Sequence, residues 1–452
     1  MMQLSSVERP SSPLDRVLSP FAEIRPGEAT SALLLALNVF LLLASYYVLK
    51  TVREPLILTL GGAEMKSYAA AFQAGVLFLV VGAYSRFAAK FDRIRLITGM
   101  SLFFILNLGV FSLLGSGGAP IGFAFFVWVG VFNLFVVAQF WGFANDVYSE
   151  EQGKRLFPVV GVGASLGAWV GSLYAGHLFK SLPQHSAPYT MMLIAAAGLS
   201  ACIGLSWVVH RREGVAGAQE GSGAADEPIG GDGAFQLIFR QRYLLMIAML
   251  LLVVNVVNTL GEFLLSKVVT ADIALQTGGD KAAMTAQIGA FYGDFFSWVN
   301  LLSFLFQAFL VSRLFKLIGV RGALFILPVI AMGGYGLMVA VPVLAYVRMA
   351  KILENSVDYS IQQTTRHALF LPTSREAKYK AKAAIDSFFW RLGDMLQAGV
   401  VFVGTQFAFG VPQFATFNVA MTAVWLVLVW RIAVEHAKLT RQQEASALPE
   451  AA

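Results

Sequence analysis

Residues 243–264 read YLLMIAMLLLVVNVVNTLGEFL, twenty-two positions with one formal charge, Glu262. A helix needs roughly 20 mostly apolar residues to cross a bilayer, so this run is long enough to span one. Its polar residues Asn255, Asn258 and Glu262 lie three and four apart, which places them on one helical face. A helix that is apolar on its remaining sides belongs in a large core or in lipid.

Similar runs lie near 31–52, 67–84, 96–114, 121–142, 157–179 and 188–209 before this one, and near 287–311, 321–339, 342–364, 383–404 and 412–433 after it. The pattern predicts about twelve transmembrane helices. Pro342 and its small neighbours separate the ninth run from the tenth. Composition agrees: 57% of the residues are hydrophobic and only 13% charged, where a soluble domain carries about a quarter charged. The fold class expected is all-α integral membrane, two six-helix halves in a major-facilitator-like arrangement.

The basic residues fall in alternate loops. One set holds Arg86, Lys90, Arg93 and Arg95, then Lys154 and Arg155, then Arg211, Arg212, Arg240 and Arg242. It continues with Arg313, Lys316 and Arg321, and with Arg366, Arg375, Lys378, Lys380 and Lys382. The other set offers Lys66, Lys180, Lys267 and Lys281. By the positive-inside rule both termini are expected to be cytoplasmic, in a multi-pass protein of the cell (inner) membrane. The basic pI near 9.3 reflects these loops, so no nucleic acid partner is expected. The first 28 residues have no apolar core, so no cleaved signal peptide is expected and the first span serves for targeting.

Residues 210–234, HRREGVAGAQEGSGAADEPIGGDGA, form the one linker-like stretch. The division expected is a tail at 1–28, a first half at 29–209, a linker at 210–242, a second half at 243–433 and a tail at 434–452. Six spans, a cytoplasmic linker and six more are the layout in which two halves rock around a midplane site. Weak echoes between the halves support duplication: Gly61-Gly62 after the first span and Gly278-Gly279 after the seventh, Asn145-Asp146 after the fourth and Asp358 near the end of the tenth.

Charges inside spans cost about 3 kcal/mol or more each on insertion scales, so they mark function or pairing. Arg348, Lys351, Asn355, Asp358 and Gln362 share one face of the tenth helix, with Glu354 a turn from Lys351 and Asp358. The eleventh carries Asp386, Arg391 and Asp394 after Lys378, Lys380 and Lys382. In the first helix Lys50 and Glu54, four apart, are expected to neutralise each other and leave Arg53 for another partner. Asp294 lies in the eighth run and Asp146 beyond the fourth. Lys50, Glu54, Asp146, Asp294, Glu354, Asp358 and Asp386 are candidates for gating or ion pairing. Arg53, Glu262, Lys351, Lys380, Lys382 and Asn145 are candidates for substrate binding. A surplus of Lys and Arg in a cavity suits an anionic solute, phosphate above all.

Gly163, Gly167 and Gly171, at four-residue steps inside a span, predict a helix-packing face rather than a nucleotide-binding loop. No G-x-x-x-x-G-K-[ST] run occurs, the five histidines show no metal spacing, and the lone Cys202 excludes disulfides. No cofactor, metal or catalytic residue is expected, and the chain is expected to act as a monomer in the lipid bilayer.

A set of strings resembles one family: Leu56-Ile57-Leu58-Thr59 after Arg53-Glu54, Phe140-Trp141-Gly142-Phe143-Ala144-Asn145, and Leu156-Phe157-Pro158 with Gly161 and Gly163. Tyr292-Gly293-Asp294-Phe295 and Lys380-Ala381-Lys382-Ala383-Ala384-Ile385-Asp386 complete it. From about residue 30 to 435 the chain resembles the nucleotide (ATP/ADP) transporters of plastids and obligate intracellular bacteria, relatives of the major facilitator fold. The resemblance implies an ATP:ADP antiporter or related nucleotide carrier, with ATP or ADP as the small-molecule partner. It also implies transport roles for Arg53, Glu262 and Lys380 or Lys382. Two departures bear on the substrate and not on the fold. Residues 121–139 lack the acidic residue that plastid members carry in helix four, and the stretch from Tyr359 to His367 differs from the adenylate exchangers. A carrier for another organic anion, with proton coupling through Glu262 or Asp386, is the alternative, followed by a non-transporting sensor or assembly factor.

Overall fold

Two adjacent glycines set the first feature of the fold. α1 runs over Ala29–Ala88, and Gly61 and Gly62 break its helical geometry, Gly62 at φ +69° where a side chain would be strained. The element therefore holds the first two predicted spans, one on each side of the break. A computed structural model of the chain describes residues 23–25, 28–88, 92–213, 233–374 and 376–447. Most of the expected linker, the N-terminal tail to residue 22, Lys90, Arg375 and the last five residues lie outside the described residues.

The other elements are α2 (Arg93–Ser116), α3 (Gly122–Val147), α4 (Glu150–Ser181), α5 (Ala187–Glu213), the short α6 (Ala234–Arg240), α7 (Arg242–Thr277) and α8 (Lys281–Leu305). They are followed by α9 (Val311–Ala323), α10 (Ile326–Ala340), α11 (Leu344–Val357), α12 (Gln363–Ala368), α13 (Lys382–Ala384), α14 (Trp390–Gln406) and α15 (Val411–Ala447). Local chemistry fixes several ends. Ser149 and Gln152 close a reciprocal capping box at the start of α4. The Asp280 carboxylate accepts from the amides of Ala282 and Ala283 to start α8. Gly278, at φ +61°, stops α7.

Among the described residues, eight helical segments are long and apolar enough to cross a membrane, and Ile326–Ala340 is a shorter apolar one. The tenth and eleventh predicted spans are absent from that set because they are dense in charge. Wide π turns fall within them at Asp358–Gln362 and Ile385–Phe389, with another at Ala377–Ala381 just before the eleventh. Such turns concentrate at functional positions in helices. The helix break at Pro342 falls between α10 and α11, as the sequence predicts.

Two compact units result. The first comprises Met1–Glu54, Val80–Asp226 and Gly289–Ser297; the second comprises Pro55–Leu79, Glu227–Ile288 and Trp298–Ala452. The division in α1 falls between Glu54 and Pro55, a proline whose missing N–H removes one helical hydrogen bond.

Within the first unit, α4 packs on α1 through the predicted glycine face. A Cβ on Gly163, Gly167 or Gly171 would lie 2.4, 2.3 or 2.5 Å from the carbonyl oxygen of Ala36, Phe40 or Ala44. Only glycine permits that approach, in which close van der Waals packing holds the helices together where lipid offers no hydrophobic drive. The substitution Gly167→Val should therefore destabilise the protein by about 1–3 kcal/mol or more. Thermal unfolding in detergent should show a clear loss for Gly167→Val and little change for Gly75→Ala, whose new Cβ meets nothing within 4 Å.

Candidate functional site

The second unit carries a buried charge network. α7 presents Asn258 and Glu262, α10 presents Tyr335, and α11 presents Lys351, Glu354 and Asn355. The Lys351 side chain is fully buried, and its ammonium lies 3.1 Å from Glu354 Oε2 and 3.6 Å from Glu262 Oε1. It also donates to Asn258 Oδ1 at 3.0 Å. Glu354 accepts from the Tyr335 hydroxyl, 2.7 Å from its Oε2. Asn355 Nδ2 donates to Glu262 Oε1 at 2.8 Å. One cation is thus shared by two carboxylates, and each carboxylate has a neutral donor of its own. Glu262, at 24% exposure, is the accessible end of the network, while Glu354 is at 5%.

Gly261 makes this arrangement possible. A Cβ there would lie 2.0 Å from the Tyr335 hydroxyl and 2.9 Å from Lys351 Nζ. Neither Gly261 nor Tyr335 stands out in the sequence. A glycine and a tyrosine in apolar runs read as packing, and the signal available was Gly261 directly beside Glu262.

A second cluster lies on α14. Asn255 Nδ2 donates to Asp394 Oδ1 and to the Trp390 carbonyl, both at 2.7 Å, and Arg391 lies 3.4 Å from Asp394 Oδ2. A third joins Lys267 to Glu64 at 2.6 Å and Lys66 to Ser266 Oγ at 2.9 Å.

Beyond these, a cavity of about 290 Å³ is lined by Arg366, His367, Phe370, Lys382, Asp386 and Trp390, among others. The Arg366 guanidinium sits 4.9 Å from the Trp390 ring centre and Lys382 Nζ 6.0 Å from that of Phe370. Among the described residues neither cation makes a hydrogen bond or ion pair; Asp386 acts on both only electrostatically. Burial, and then the Lys382 ammonium, pushes His367 below the usual imidazole range. Lys380 is engaged by Glu376 at 3.3 Å. Of the two lysines weighed from the sequence, the structure turns Lys382 to the cavity.

Arg53 lies in the first unit. Its guanidinium pairs with Glu54 at 2.7 Å and lies 4.3 Å from the Phe126 ring centre. The arginine is long enough to fold back on its neighbour, whose side chain is 1% exposed and in need of a cation. Lys50 lies 4.4 Å from the ring centre of Phe296 and 5.0 Å from that of Tyr47. Asp146 pairs with Arg93 at 2.6 Å, both half-exposed, and the neighbouring Asn145 is exposed. Asp294 lines a separate cavity of about 460 Å³ with Tyr174, His177 and Lys180. Asp358 is buried beside the Lys351 network and makes no ion pair among the described residues.

The sequence profile described as TLC ATP/ADP transporter matches residues 125–334 and 309–442. The protein named ADP,ATP carrier protein 1 of Chlamydia muridarum (strain MoPn / Nigg) is 25% identical over 360 residues, 69% of this chain and 65% of that protein. The protein of the same name in Rickettsia bellii (strain RML369-C) is 23% identical over 345 residues, 69% of this chain and 68% of its own. The chain thus matches just under two thirds of the length of the Chlamydia muridarum relative. Among solved structures, a POT family transporter in complex with 5-aminolevulinic acid matches with a TM-score of 0.63 at 13% identity, covering 91% of this chain and 97% of that one. The nucleoside transporter NupG matches with a TM-score of 0.57 at 12% identity, covering 89% and 98%. These likenesses establish the fold as major-facilitator-like.

Gly261→Ala should displace Tyr335 or Lys351 and lower the unfolding midpoint, at a cost of about 1–3 kcal/mol. An unchanged midpoint would mean that the network accommodates a methyl group and is looser than the geometry shows.

Proposed function

The chain belongs to the TLC ATP/ADP transporter family, and from that premise we propose that it is a carrier exchanging nucleotides across a membrane by alternating access. The relatives named as ADP,ATP carriers support ATP and ADP as the substrates to test first. The observation that carries the reading is the cavity in which Arg366 and Lys382 stand against aromatic rings without an ion-pair partner among the described residues. Two cations in that state offer a phosphate group charge-assisted hydrogen bonds that no protein carboxylate already occupies. The Trp390 and Phe370 rings supply the flat apolar surface that holds each cation in place.

In this reading Lys382, Arg366, Lys351 and Arg53 bind anionic oxygens, and Glu262 governs exchange. Glu262 is the more accessible carboxylate partner of Lys351. An anion reaching Lys351 competes with that carboxylate, so bound and empty states differ in who holds the ammonium. Differential contact of this kind is what lets a ligand shift a conformational equilibrium. The reading includes a single chain in the cell (inner) membrane, with both termini cytoplasmic and the halves 29–209 and 243–433 joined by 210–242.

A carrier for a different organic anion is the second reading, favoured by the absence of any acidic residue at 121–139 and by the divergent stretch Tyr359–His367.

The test is uptake of labelled ADP or ATP into proteoliposomes, with and without internal nucleotide. Internal nucleotide should accelerate uptake. Lys382→Ala and Arg53→Ala should each weaken apparent affinity about tenfold or more, the loss of one charge-assisted bond. Glu262→Gln should impair exchange more than binding. Nucleotide-independent leakage alone, with another organic anion accelerating its own uptake, would replace the nucleotide by that anion.

A further inference from the structure

The wide turn Asp358–Gln362 carries side chains that the proposed anion site does not use. Asp358 is 4% exposed, Gln362 0% and Asn355 3%. Among the described residues, Asp358 Oδ1, Asn355 Oδ1 and both amide atoms of Gln362 have no hydrogen-bond partner. These positions, 355, 358 and 362, share one helical face. The π turn between the last two keeps them one above the other. Asn355 Nδ2 is committed to Glu262 Oε1, so its amide oxygen points the other way by construction.

Three buried oxygens from successive turns, one of them anionic, thus lie on one face of a membrane-embedded helix. The charge on Asp358 is the part that a neutral donor cannot satisfy. Arg366 and then Lys351 are the cations acting on it electrostatically. Neither reaches it: Lys351 is held between Glu354 and Glu262, and Arg366 lies against Trp390 in the cavity. The helices packed on the turn offer Arg313, Lys316 and Arg321 from α9 and Tyr335 from α10. Its own helix offers Arg348, Glu354 and His367 besides. None of these makes an ion pair with Asp358 among the described residues, and the Tyr335 hydroxyl is taken by Glu354.

We propose that Asn355, Asp358 and Gln362 form a binding site for a small hard monovalent cation, proton or sodium, distinct from the anion-binding residues. Carboxylate and carbonyl oxygens are hard donors and suit hard cations. An intramembrane carboxylate without a fixed partner is the residue type that carries ions through carriers. Binding there neutralises Asp358; a sodium ion also gives the amide oxygens of Asn355 and Gln362 a partner, and a proton on Asp358 can be donated to one of them. It also links cation occupancy to α11, which bears Lys351 one face-repeat earlier. Transport of an anion then acquires a dependence on the cation through a shared helix.

The experiment is thermal unfolding of the purified full-length chain in detergent, which reads cation binding whether or not nucleotide is the cargo. Sodium chloride is compared with choline chloride at fixed pH and ionic strength, and pH is then lowered from 8 to 6 in choline. The wild type should be stabilised by several degrees in one of the two arms, and that arm identifies sodium or proton. The shift should vanish in Asp358→Asn. Should Asp358→Asn not fold, Gln362→Leu keeps the carboxyl and should need a higher cation concentration for the same shift. No stabilisation of the wild type in either arm overturns the site, and so does an equal shift in wild type and variant. Uptake in the same two series, in proteoliposomes, separates the failures. Nucleotide exchange indifferent to sodium and pH removes the coupling and leaves the carrier reading intact. A cation shift without nucleotide uptake leaves the site and removes the nucleotide.

Discussion

A charge inside a membrane must find a partner, and most of what is specific about this structure follows from how Lys351 finds two. Its ammonium, wholly removed from solvent, is shared by Glu354 and Glu262. Removing one member of a buried ion pair costs about 3–5 kcal/mol, because the charge left behind is uncompensated. That requirement fixes the rotation of α7, α10 and α11 about their axes, since Asn258, Glu262, Tyr335 and Glu354 must all reach one point. It also dictates the small side chain at Gly261, where any Cβ would occupy the space of the Tyr335 hydroxyl. The two carboxylates are not equivalent. Glu354 is enclosed and tied to Tyr335, whereas Glu262 is partly open and tied to Asn355. The open one is the carboxylate that a competing anion can displace.

The apolar framework and the polar site obey different rules, which explains what the sequence shows and what it hides. Span positions follow from run length alone, because lipid demands about 20 apolar residues wherever a helix crosses. The glycine face of α4 was legible for the same reason: three glycines at four-residue steps have a single geometric consequence, close approach to a neighbour. The face of Lys351, Asn355, Asp358 and Gln362 was legible from helical periodicity. Glu354, on the same helix, was legible too; the partners Asn258 and Glu262 were not, because no spacing in the chain encodes which face of α7 meets α11.

Other features are local and leave little trace in spacing. The Arg53–Glu54 pair joins adjacent residues, which helical periodicity places on different sides, and burial of Glu54 draws in the flexible neighbouring cation. The π turns at 358–362, 377–381 and 385–389 escape periodicity arguments altogether, since a single added residue per turn leaves no mark on composition. They lie in the region richest in charge, where Lys382 and Arg366 line a cavity while Lys380 stays with Glu376.

The claim on which this account turns is that Lys351 and Glu354 are held by each other's charge. A double-mutant cycle on the pair, read as unfolding midpoints in detergent, tests it most directly. Lys351→Met and Glu354→Gln should each destabilise strongly, and the double variant should be more stable than the sum of the two losses implies, with a coupling of about 1–3 kcal/mol. Strictly additive losses would contradict the account, because they would show two side chains that matter separately and not as a pair.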